Sequence, residues 1–246
     1  MVATSLANEI AAFIWNARDD YVKSLTPFEK AIEIALDTGR KPVIFADSGD
    51  NPGGGGSGRT TGLLSALLAS DAQNILYGSF FDPVLARDAH ARGIGTSFMA
   101  VFNQDRNETA WEQWDEPLGV EATVIGLHHG EIVGRLGMMA GRKLSLGPCA
   151  LLEIAGVRVV VISERAQTAD PVFFEMFDQD IAAAHTIIVK SRGHFRAGFA
   201  PWFDGSNIYE IDTVGLTSPV LSRWDFKNVP QPSFPFQTKA EWKRYR

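Results

Sequence analysis

The stretch Pro42-Val-Ile-Phe-Ala-Asp-Ser-Gly-Asp-Asn-Pro-Gly-Gly-Gly-Gly-Ser-Gly-Arg-Thr-Thr-Gly-Leu-Leu64 decides the fold class. It opens as a short apolar run of strand type that ends in an acid, Asp47. A loop from Ser48 to Gly58 follows, with glycines at 49, 53, 54, 55, 56 and 58. Thr60 or Thr61 then caps a helix whose Leu63, Leu64, Leu67 and Leu68 face a core. Strand, glycine loop and helix in that order open an α/β unit.

Working outward, Thr26 as N-cap, Pro27 at the first helical position and Glu29 three after the cap predict a helix that Gly39 stops. Upstream, Leu6, Ile10, Phe13, Ala17 and Tyr21 fall on one helical face, an apolar stripe in need of something to pack against. Downstream, a helix starts at Asp82-Pro83, carries Leu85 and Ala89 inward and stops near Gly93. Thr96 to Phe102 and Val120 to Leu127 read as extended. The charged loop between them holds Trp111 and Trp114 and is expected to be exposed at its tip. Leu151 to Ile154 and Val157 to Ile162 form a hairpin through Ala155-Gly156. A short helix at Asp170-Pro171, a buried strand from Thr186 to Lys190 and a helix from Gly193 complete the pattern. Prolines at 219, 230, 232 and 235 predict an extended tail. The expected architecture is α/β, a mixed sheet with flanking helices and an antiparallel β portion in the middle of the chain.

The 246 residues carry 23 basic and 29 acidic side chains, a net charge of −6 that repels phosphate backbones and argues against nucleic acid. No apolar run is long enough for a membrane span. Asn8 and Glu9 break the amino-terminal apolar stretch, which lacks the basic leader of a secretory signal. The single cysteine, Cys149, excludes an internal disulfide framework, suits a reducing cytoplasm and reads as a small buried residue.

Two constellations carry chemistry. Gly53 to Thr60 spells a Walker A loop with Arg59 in the lysine position. Against a nucleotide site stand the arginine, the missing N–H of Pro52 and the five residues between Asp47 and Gly53. The alternatives are a tight structural turn, or a loop lining a polar site with Asp47, Asp50 and Asn51. The second constellation is Lys190-Ser-Arg-Gly-His-Phe-Arg196, at the carboxyl end of a strand where open α/β sheets place ligands. Its cations favour an anionic group such as a carboxylate; the competing reading is a basic turn paired with the acids of the glycine loop. The five histidines, at 90, 128, 129, 185 and 194, form no H-x-x-x-H. Asp88 and His90 lie two apart on a helix and diverge. No metal ligand is assigned within this chain, and G-x-S-x-G is absent.

Phe45-Ala-Asp-Ser-Gly-Asp-Asn-Pro-Gly-Gly-Gly55 with its following Thr-Thr-x-Leu-Leu is similar to the carboxy-terminal domain of the MlrC family, the microcystinase C-like zinc metallopeptidases. Asp82-Pro83, Leu146-Gly-Pro148, Ser163-x-Arg165, Asp170-Pro171, Lys190-Ser191, His194-Phe-Arg196 and Gly215-Leu-Thr-Ser-Pro219 recur in the same order. Arg59 departs from the pattern, standing where many members carry an acid. The resemblance implies a larger amino-terminal domain that supplies the zinc ligands, of which residues 1–40 would be the last helices and 41–246 the carboxy-terminal domain. It implies that Asp47, Asp50, Asn51, Gly53, Gly54 and Gly55 border an interdomain cleft, and that Lys190, Ser191, His194 and Arg196 hold a substrate carboxylate. The expected partners are the amino-terminal metal domain, or a separate polypeptide carrying it, and a small peptide-like substrate. Self-association through the first helix is expected as well. The other reading is a stand-alone anion- or nucleotide-binding module built on the glycine loop.

Overall fold

The computed structural model describes residues 2–22, 24–39, 42–107, 113–230 and 233–236. The chain divides into two compact units, residues 26–218 and residues 1–25 together with 219–246.

In the larger unit, helix α2 (Phe28–Leu36, α1 being the amino-terminal helix below) precedes strand β1 (Val43–Asp47). Helix α3 (Gly62–Leu68), β2 (Ile75–Phe81), α4 (Pro83–Arg92), β3 (Ser97–Phe102) and β4 (Leu118–His128) follow. Then come β5 (Glu131–Val133), β6 (Lys143–Ser145), β7 (Cys149–Ile154), β8 (Val157–Ile162), α5 (Val172–Glu175), β9 (Thr186–Val189), α6 (Phe195–Phe199) and β10 (Ile208–Ile211). Eight strands make one sheet in the order β10-β1-β9-β2-β8-β7-β4-β3, and β5 pairs with β6 apart from it. The first five are mutually parallel, and the remaining pairings are antiparallel. The mixed α/β sheet expected from the sequence is the observed one.

Every residue of β1 and β9 is buried, as parallel strands covered on both faces require. Alternate side chains feed two cores. Phe45, Tyr77 and Val159 meet Ile34, Leu64, Leu67 and Leu85 from α2, α3 and α4. Ile44, Leu76 and Val160 meet Phe173, Phe174, Phe195 and Phe199 from α5 and α6.

The sequence reading passed over two strands of the eight-stranded sheet, β2 and β10, and both strands of the separate β5-β6 pair. In β2 the run is interrupted by Gly78-Ser79, where the register against β8 shifts between Tyr77 and Phe80. A Cβ on Gly78 would lie 2.6 Å from the Phe174 ring, so close packing requires the glycine that weakens the strand signal. Edge strand β10 has only four residues, one of them Glu210. The cap of α2 also differs from expectation. Pro27 occupies the N-cap position, while Thr26 forms a parallel bridge with Ile211. Thr26 donates its N–H to Glu210 O and accepts from Asp212 N, so sheet pairing displaces the capping box.

In the smaller unit, α1 (Val2–Asn16) buries none of its residues, and Leu6, Ile10 and Phe13 are 55, 51 and 70% exposed. Arg18 lies over the Trp15 and Phe234 rings, at 5.0 and 5.7 Å from their centroids. The only regular element of the tail's described residues is a short 3-10 turn at Leu221–Arg223; Pro232 lies outside them. Among the described residues no helix is long and apolar enough to cross a membrane.

Candidate functional site

Five parallel strands deliver polar residues to one edge of the sheet. Asp47 ends β1, Lys190 follows β9, Asp82 follows β2, Ser163 follows β8 and Thr213 lies just past β10. This carboxyl edge is where an open α/β sheet places its ligands.

At its centre Lys190 is fully buried, and its ammonium donates to Asp50 Oδ2 at 2.7 Å and Asp47 Oδ2 at 3.0 Å. It also reaches Thr60 O and Thr60 Oγ1, each at 3.2 Å. Burial alone would discharge the ammonium, but Asp47 and Asp50 outweigh it and hold its pKa well above the usual lysine value. The two carboxylates are not equivalent. Burial opposes the charge on Asp50, yet Lys190 and the N–H groups of Thr60 and Gly58 hold its pKa below the usual range. Asp47 has its pKa raised by burial despite Lys190, with neighbouring Asp50 adding to the rise. Asp50 is therefore the fixed anion, and Asp47 is the carboxylate that takes up a proton first.

The glycine loop is wound around this internal anion. Gly58 N and Thr60 N donate to the two Asp50 oxygens at 2.7 and 2.8 Å. Asp50 N donates to Asp47 Oδ1, Asn51 N to Thr217 Oγ1 and Gly53 N to Asn51 Oδ1. Gly54 N and Gly56 N both reach Asn51 O, and Gly55 N reaches Pro52 O. These are the amides a phosphate would need. Arg59, in the Walker lysine position, donates Nε to Asn103 Oδ1 at 3.0 Å and pairs with Asp105. The loop thus builds a P-loop-like nest whose anion is its own aspartate and whose cation arrives from β9, an arrangement that argues against a nucleotide.

The segment after β3 closes over the loop. Asn103 is fully buried, takes Asp82 Oδ2 on its N–H at 2.7 Å and donates Nδ2 to Arg59 O at 2.8 Å. Asp115 is 2% exposed and accepts from Ser57 Oγ at 2.8 Å, while its Oδ2 has no partner among the described residues. Burial pushes its carboxyl up to about 6. The flanks of the charged loop are therefore fixed in place; Trp111, named with its tip, lies outside the described residues. Half-buried Trp114 lines a cavity of about 340 Å³ together with Phe28, Thr60, Thr61, Glu116 and Thr213.

The sequence-predicted residues fall into two groups. Asp47, Asp50, Lys190 and Ser191 are buried, the first three bonded to one another. Gly53, Gly54, Gly55 and His194 are exposed at the rim and Asn51 is half-buried beside them. Arg196 bonds Glu210 Oε1 at 2.8 Å, so its guanidinium already has a carboxylate. Gln167, Thr213 and Asp115 are site residues that the sequence does not single out, and Thr217 and Ser57 lie in quoted motifs that assign them no role. Gln167, Thr213, Thr217 and Asp115 join the site by long-range contacts, whereas Ser57 belongs to the loop itself and bonds Asp50 as well as Asp115.

The histidines do not assemble a metal centre. His90 Nε2 lies 3.0 Å from Cys149 O, and His128 Nδ1 accepts from Gly130 N. His185 sits between Thr186 and Asp37 O, and His194 faces Gln167. Among the described residues no three His, Cys, Asp or Glu converge, so the zinc of a metallopeptidase does not fit this donor set. Cys149 is buried, its thiol pushed up to about 12 by burial, which leaves it inert.

A family model described as MlrC C-terminus matches residues 45–228, about three quarters of the chain. Microcystinase C from Sphingomonas sp is 29% identical over 172 residues, 70% of this chain and 32% of its own length. A crystal structure from Mesorhizobium sp. BNC1, described as a "putative metallopeptidase", superposes with a TM-score of 0.77 at 22% identity. That match covers 96% of this chain and 45% of the other. The chain thus spans about a third of the one relative's length and under half of the other's.

Proposed function

Because the chain belongs to the MlrC C-terminus family, we propose that it is the non-metal part of an MlrC-like hydrolase acting on peptides. In this reading zinc is held by an amino-terminal domain or a separate polypeptide, and the complete site lies between that domain and the carboxyl edge of this sheet. The apolar stripe of α1 is the surface the missing part covers, and alone it drives self-association. The buried Asp47, Asp50 and Lys190 do not touch substrate; they hold the glycine loop so that Asn51 and Gly53 to Gly55 line the cleft. Substrate carboxylate is met by exposed His194, with exposed Arg192 two residues away in sequence. A cytoplasmic location accords with the single buried thiol.

The observation that carries this proposal is the closed network at the sheet edge. Lys190 and the loop amides already have acceptors, so they are unavailable to a nucleotide, while the rim beside them stays open. The test supplies the chain with the amino-terminal domain of a family member and zinc, and reads peptide hydrolysis from new amino termini. Neither part alone should hydrolyse, and the mixture should. Hydrolysis by this chain alone would contradict the proposal.

A further inference from the structure

His194 is exposed at the rim, but one of its ring nitrogens is not free to choose a role. Nδ1 lies 3.0 Å from Gln167 Nε2 and 3.2 Å from Gln167 Oε1. Gln167 is itself only 9% exposed and is pressed against the glycine loop, since a Cβ on Gly53 would lie 2.2 Å from its Oε1. Its Nε2 also faces Met138 Sδ at 3.8 Å. An amide nitrogen carries two hydrogens and a thioether sulfur can only accept. Sending one hydrogen to Sδ and the other to the nearer ring nitrogen satisfies the amide NH2, and the Oε1 contact to that nitrogen is the longer of the two. Nδ1 is then an acceptor, and the ring proton resides on Nε2, which points away from Gln167.

We infer that Gln167 is a positioning residue that fixes His194 as an Nε2–H donor at the glycine rim, where it hydrogen-bonds a substrate carboxylate. The carboxylate role rests on the peptide-binding reading above; the tautomer does not. Gly53 belongs to the same device, because only a residue without a Cβ lets the amide settle between loop and imidazole. The residue that orients a histidine decides what its other nitrogen can do.

The test is long-range proton–nitrogen NMR of the imidazole on the full chain at about pH 8, where a free histidine is neutral. His194 signals are identified by their loss in His194→Gln. The expected spectrum has Nε2 protonated and Nδ1 bare. Gln167→Glu, whose carboxylate can only accept, should move the proton to Nδ1. Gly53→Ala should displace the amide and leave a mixture of tautomers, keeping the test open if the buried glutamate unfolds the chain. Acetate should shift the wild-type His194 signals saturably, and at least tenfold less in Gln167→Glu; chloride at equal ionic strength should not shift them. A wild-type ring protonated on Nδ1, or an acetate response no larger than that to chloride, overturns the inference. Neither result bears on zinc or hydrolysis, so the peptidase reading stands or falls separately.

Discussion

The Lys190 ammonium lies 2.7 Å from Asp50 Oδ2, with neither side chain more than 1% exposed. Asp50 follows β1 and Lys190 follows β9, adjacent parallel strands that are 140 residues apart in sequence at this contact. Removing one partner of such a pair leaves an uncompensated buried charge, which costs about 3–5 kcal/mol. Lys190→Met should therefore lower the unfolding free energy by about that amount in urea denaturation. Exposed Arg192, 3.8 Å from Glu210, is the control, and its alanine variant should stay within about 0.5 kcal/mol. Equal small losses in both variants would mean that the buried network does not hold the loop.

Asp115 gives a pH signature. Burial raises its carboxyl from 3.8 to about 6, so between those values the folded chain binds more protons than the unfolded one. Its contribution to stability is present below the lower value and is lost as pH rises through the window. At 1.36 kcal/mol per pKa unit the loss is on the order of 3 kcal/mol. Thermal unfolding of wild type and Asp115→Asn across this range should show a decline in the first that the variant lacks. Parallel curves would mean that Asp115 ionises as freely as in the unfolded chain.

Arg59→Lys completes the Walker A spelling, and it should create neither magnesium-dependent ATPase activity nor a thermal shift with ATP. The amides that would cradle phosphate already serve Asp50 and Asn51. A ligand that binds the folded state must raise its stability by mass action. An ATP-dependent rise in either form would restore the nucleotide reading.

How far the site was legible depends on the range of each contact. The β1, glycine loop and α3 succession is local, and the Ala155-Gly156 hairpin turn is local too; both were readable from spacing. So was the arrival of Lys190 at a strand end. Its choice between a ligand and the acids of the loop was not readable, because β9 lies beside β1 only once the sheet is assembled. Thr213 and Gln167 carry no motif, Thr217 lies in the Gly215-Leu-Thr-Ser-Pro219 motif with no role legible from it, and the three enter the site through contacts with Asp47, His194 and Asn51 respectively. Strand β2 was hidden by its own Gly78, which Phe174 requires.

The helix α1 tests whether the smaller unit awaits a partner. Fully burying one large apolar side chain stabilises by about 1.5–3 kcal/mol, yet Leu6, Ile10 and Phe13 remain more than half exposed. The full chain should self-associate in light scattering, and removal of residues 1–22 should improve monodispersity while the thermal transition of the rest survives. A monomeric full chain whose stability collapses on deletion would place α1 in its own core.

Zinc stoichiometry of the purified chain decides whether this chain holds metal by itself. In the proposed function this chain is the non-metal part of an MlrC-like hydrolase, and no ligands converge among its described residues. After dialysis against excess free zinc and desalting, elemental analysis should find far less than about one equivalent, since a protein zinc site needs at least three or four converging ligands. A reproducible content of about one zinc per chain would contradict it.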